Sequence, residues 1–81
     1  MRAVVHVAFK KTVLDPQGRT VCSTLNGLGY DNVLDVRQGT FFEIEISASI
    51  PQEEAHKQVE KIAQEILANP VIEEYSIDWN D

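Results

Sequence analysis

The sequence predicts an α+β fold, the ferredoxin-like βαββαβ sandwich, with a four-stranded antiparallel sheet and two helices on one of its faces. Three observations carry that expectation. Four stretches alternate apolar and other residues with period two, and two more repeat at helical spacing. They run strand, helix, strand, strand, helix, strand, with no low-complexity linker between them. Each strand–helix–strand half needs a right-handed crossover, and two such halves interleave into one sheet.

Residues 2–9 (RAVVHVAF) place Ala3, Val5, Val7 and Phe9 on one face and Arg2, Val4, His6 and Ala8 on the other, as the pleat of a strand requires. The first helix is expected from Asp15 to Leu28, where Val21, Leu25 and Leu28 recur at helical spacing and Gly29 supplies a left-handed stop. Asp15 can accept a hydrogen bond from an orphan amide at the helix start, and Pro16 needs no amide partner there. Gly18 weakens that first turn. Val33–Arg37 (VLDVR) alternates again, Gln38-Gly39 reads as a tight turn, and Phe42, Ile44, Ile46 and Ala48 alternate against Phe41, Glu43, Glu45 and Ser47, which together predict a β-hairpin. Pro51 opens a second helix with Ala55, Val59, Ile62 and Ile66 as its stripe, and Asn69-Pro70 stops it. Val71–Trp79 is the last strand, with Tyr75, Ile77 and Trp79 pointing one way.

A chain this short is expected to form one domain over 1–81 and to bury only about 60% of its unfolded surface, so a partner or a second copy adds useful burial. Seven basic against thirteen acidic side chains give a net charge of −6, which repels phosphate backbones and anionic membranes. No nucleic-acid or membrane partner is therefore expected. The single cysteine, Cys22, leaves no internal disulfide and suits a reducing compartment. Met1-Arg2 leads into a strand rather than a signal peptide, and no apolar run approaches the ~18–20 residues of a membrane span. A cytoplasmic, soluble protein is the expectation.

The usual catalytic residue types form no constellation. Cys22 lies beside a helix stripe, where a buried inert thiol is expected. Neither His6 nor His56 has a second ligand at metal spacing, so no metal site is proposed. Glu53-Glu54 complement the dipole of the second helix start, and Glu73-Glu74 read as solvated. The expectation is no catalytic residue, no metal and no cofactor in this chain. With both helices on one face, the other should be wet, yet Val4, Ala8, Val33, Phe41 and Ile72 fall on it among His6, Asp35, Arg37, Glu43 and Glu45. Such a patch marks a self-association surface. RNA binding on this face would need the full stacking motif, whereas Glu43 and Glu45 follow Phe41. An amino-acid-binding regulatory module remains the alternative, with Lys10–Gly18 (KKTVLDPQG) a partial match to the loop it needs.

Three blocks carry a resemblance: VLDPQG at 13–18, LGYDNVLDVRQG at 28–39 and LANPVIEEYSID at 67–78. In this order and spacing the chain resembles the small S subunit of phosphoribosylformylglycinamidine synthase (PurS), over nearly its whole length. The resemblance implies a non-catalytic subunit of a purine-biosynthesis complex. It would self-associate as a dimer or tetramer and bridge a glutaminase subunit to a synthetase subunit that uses ATP and Mg, so that ammonia passes between them. Asp15, Pro16, Gln17, Gly18, Arg37 and Gly39 are the candidate partner-binding residues. Glycine in a first helical turn costs about 1 kcal/mol relative to alanine, so Gly18 points to a close backbone approach, by a partner or within the domain. One departure is Thr40, where many members of the family carry lysine; no role is assigned to it.

Overall fold

A computed structural model describes residues 1–80, in which strand β1 (Arg2–Phe9) is central, flanked antiparallel by β2 (Gly39–Glu45) and β3 (Glu73–Asn80). Helix α1 spans Pro16–Gly27 and α2 spans Gln52–Ile62, the latter running on into a π-helical turn at Ala63–Leu67. The register pairs Val5 with Phe42 on one side and Ile77 on the other, so that Ala3, Val5 and Val7 share a face with Phe42, Ile44, Tyr75, Ile77 and Trp79. Helix α2 covers that face. Ala55, Val59 and Ala63 are fully buried against it, as are Ala3 and Val5.

Two expectations about the architecture need correction. Among the described residues the sheet has three strands, and the predicted strand at Val33–Arg37 pairs with none of them. The cause is tertiary: the Asp15 carboxylate takes the Gln38 amide at 2.7 Å, and the Arg37 guanidinium turns onto the carbonyls of Phe9 and Lys10 at 2.9 and 3.0 Å. A two-residue hairpin at Gln38-Gly39 cannot form while those groups are engaged. Gly39 instead enters β2 opposite Ala8, and the far edge of β2 is left without a neighbour. Nor do both helices cover the sheet. Among the described residues the core takes side chains from α2 and its π-helical turn and none from α1, which with residues 28–38 runs out and back as an arm. The molecule consequently measures 52 × 27 × 13 Å with a radius of gyration of 16.3 Å, where a globular chain of this length has about 12 Å.

The second helix buries Ala55 and Val59 as expected, but its stripe shifts in the last turns. Ala63 is buried and Ile66 is 74% exposed. The Ala68 amide donates to the Ala63 carbonyl five residues back, at 2.9 Å. That wider turn brings Leu67 and Ala68 round to the core and leaves Ile66 outside.

Candidate functional site

The predicted caps build the base of the arm. Asp15 has extended dihedrals and its Oδ1 accepts from the Gly18 amide at 3.0 Å, with Pro16 at the first helical position. The other end closes as a double hydrogen-bonded stop: Gly29, at φ 102°, donates to Asn26, and Tyr30 donates to the Leu25 carbonyl. The Asn26 side chain then donates to the carbonyls of Tyr30 and Val33, folding the returning strand of chain onto α1.

At the neck, where the arm leaves the sheet, the structure brings together residues 15–18 and 37–39. Asp15 is 4% exposed and spans both sides, through Oδ1 to Gly18 and through Oδ2 to Gln38. The Gln38 amide first, and the Gly18 amide second, hold its carboxyl below the ordinary aspartate value. A Cβ on Gly18 would stand 2.2 Å from the Val36 carbonyl oxygen, and one on Gly39 would stand 2.7 Å from that of Val7. Both glycines therefore admit a crossing backbone within the chain itself. Arg37 braces the same crossing through its bonds to Phe9 and Lys10. Pro16 and Gln17 are exposed beside it. The cost of Gly18 was a signal in the sequence. The reach of Asp15 to a residue 23 positions away was not.

Along the arm, Leu14, Val21, Leu28, Tyr30 and Leu34 are exposed, Leu34 by 91%. An open groove of about 640 Å³ runs between α1 and the returning chain, with Lys11, Arg19, Asn26 and Asp35 on its walls. Of the residues expected on one self-association surface, Val4, Ala8 and Phe41 do share the uncovered face of the sheet. Val33 lies instead on the arm, and Ile72 lies in the turn before β3, its carbonyl accepting from the Lys10 amide.

Cys22 is half-buried, its thiol near the Asn26 side chain and the Val33 carbonyl at 3.9 and 3.7 Å. His6 sits 3.3 Å from Asp78 across the sheet face. His56 stacks on Trp79 with ring centres 4.0 Å apart, and its buried Nε2 has no hydrogen-bond partner among the described residues. Tyr75 donates to Glu60 at 2.8 Å, and that carboxylate pushes the phenol above its ordinary value. Among the described residues, no group of three or more His, Cys, Asp or Glu is placed to hold a metal ion, and no helix is long and apolar enough to cross a membrane.

Comparison with known proteins gives one consistent result. The family model described as "PurS: Phosphoribosylformylglycinamidine (FGAM) synthase" matches residues 2–81. The Mycobacterium leprae phosphoribosylformylglycinamidine synthase subunit PurS is 43% identical over 76 residues, which is 94% of this chain and 91% of the relative. The Archaeoglobus fulgidus subunit PurS is 37% identical over 81 residues, the whole of both chains. Among solved structures, Methanocaldococcus jannaschii PurS, one of the subunits of formylglycinamide ribonucleotide amidotransferase in the purine biosynthetic pathway, superposes with a TM-score of 0.82 at 38% identity, covering 95% of this chain and 92% of that one. A chain of the Thermotoga maritima PurLQS structure superposes with a TM-score of 0.85 at 31% identity, covering 95% and 93%.

Proposed function

The chain belongs to the PurS family, subunits of phosphoribosylformylglycinamidine synthase in purine biosynthesis, and from that premise we propose that it is the non-catalytic bridge of the complex. In this reading the whole of 1–81 acts as one domain in the cytoplasm. It joins the glutaminase subunit to the synthetase subunit, so that ammonia passes between them without escaping to water. ATP and Mg are handled by the synthetase, and this chain needs no cofactor of its own. The single observation behind the assignment is the end-to-end likeness to a chain of the PurLQS structure. The neck, with Asp15, Pro16, Gln17, Gly18, Arg37 and Gly39, holds the arm at a set angle to the sheet for its partners to meet.

Self-association belongs to the same reading, and the arm is where it occurs. A helix with a bare apolar side is not stable packing by itself, because most helical stability in proteins comes from covering that side. A second copy supplies the cover. Its sheet also offers the free edge of β2, to which Val33–Arg37 can add as the fourth strand of a ferredoxin-like sheet. Charge favours the match: residues 10–38 carry four cations and three carboxylates, whereas the rest of the chain carries three cations and ten carboxylates.

Reconstitution with the glutaminase and synthetase subunits of the same organism tests the proposal. Leaving out this chain should abolish synthesis from glutamine and spare synthesis from added ammonium. The double substitution Leu28→Glu with Leu34→Glu should do the same, and should lower the mass of the isolated chain in sedimentation. Undiminished glutamine-dependent synthesis without the chain would end the bridging assignment.

A further inference from the structure

We infer that the uncovered face of the sheet is a docking surface for a basic protein surface, supplied by another subunit of the complex and not by a second copy of this chain. The inference rests on the bridging role above and says which surface performs it. On this face the rows across β2, β1 and β3 read Glu45–Arg2–Asn80, Glu43–Val4–Asp78, Phe41–His6–Ser76 and Gly39–Ala8–Glu74. No element of the chain lies over them, since α2 occupies the opposite side and the arm leads away. The centre is apolar: Val4 and Ala8 are half-buried, and Phe41 stands 59% exposed beside the ring of His6, with 6.2 Å between ring centres. Around that centre stand four carboxylates, Glu43, Glu45, Glu74 and Asp78, against one permanent cation, Arg2, which is already 3.8 Å from Glu43.

An aromatic anchor with a charged rim is the usual anatomy of a specific interface. The sign of the rim selects the occupant. A two-fold contact that packs this face on the same face of a second copy would set four carboxylates against four, which is strongly disfavoured, and the arm of a second copy is taken up at the β2 edge instead. Nucleic acid and anionic lipid are repelled for the same reason. A surface of lysines and arginines around an apolar depression complements it, the cations meeting the rim and the depression taking Phe41.

The test is the triple substitution Glu45→Lys, Glu74→Lys and Asp78→Lys in the full chain, with Phe41→Ala as a separate variant. All four side chains are exposed, so the fold is retained. Wild type should bind the purified synthetase and glutaminase subunits, and that binding should weaken as salt is raised. The triple variant should lose about tenfold or more in affinity and much of the salt dependence, Phe41→Ala should lose affinity with its salt dependence intact, and both should sediment like wild type. Equal affinity of the triple variant would overturn the inference and leave the bridging role standing. A fall to smaller species in sedimentation would overturn it in favour of a contact between copies. Wild type that binds neither subunit would overturn the bridging role itself, and this inference with it.

Discussion

Two glycines of one helix should respond to the same substitution with opposite signs. Gly18 and Gly27 both lie in α1, and alanine is favoured over glycine in a helix by about 1 kcal/mol. At Gly27 a Cβ meets nothing within 4 Å, so Gly27→Ala should stabilise by ~0.5–1 kcal/mol. At Gly18 the same atom would lie 2.2 Å from the Val36 oxygen, 2.7 Å from Asp15 Oδ2 and 3.1 Å from Arg37 Cα. Two of those three are backbone atoms, and the third is tied by its bonds to Gly18 and Gln38. Nothing there can swing aside, so the cost belongs at the upper end of the ~1–3 kcal/mol typical of overpacking. After the helix gain is subtracted, Gly18→Ala should destabilise by about 2 kcal/mol, or roughly 10 °C in a domain of this size. Urea titration at fixed protein concentration measures both variants. Far-UV circular dichroism follows α1, and the fluorescence of Trp79 follows the sheet end of the molecule. A Gly18→Ala variant as stable as wild type by both signals would refute the close crossing at the neck.

The neck should also open in acid. The carboxyl of Asp15 is held below its unfolded value, so its contribution is present above the unfolded value of about 3.9 and is lost as pH falls through the lower folded value. The helical signal should hold from neutral pH to about 5 and decline below about 4, and Asp15→Asn should remove that step; an unchanged acid transition in the variant would assign it to other carboxylates. At the other end of the molecule, His56→Phe should keep the stack on Trp79 while removing an Nε2 that no described residue partners, leaving stability unchanged or raised by up to ~1 kcal/mol. Thermal unfolding checks this, with a clear loss of stability meaning that Nε2 finds a partner in solution.

The local sequence determined those parts of this protein whose causes lie within a few residues. The strand at 2–9 alternates because both of its faces are read by the pleat, and Tyr75, Ile77 and Trp79 meet the core as their alternation requires. Both ends of α1 follow from Asp15-Pro16 and Gly29, whose bonds span three to five residues. The candidate partner residues at 15–18 and 37–39 were found by pattern and resemblance, yet their meeting at one neck was not legible. Tertiary structure decided that, through bonds from Asp15 to Gln38 and from Arg37 to Phe9 and Lys10, and those bonds withdrew the predicted hairpin. It also decided where α1 lies. The apolar side of a helix looks the same in sequence whether its own sheet covers it or another copy does, because periodicity records that a face must be buried and not what buries it. The shift from Ile66 to Leu67 has a similar origin: one extra residue in a helical turn moves every later side chain round the axis, and only packing against the sheet selects it.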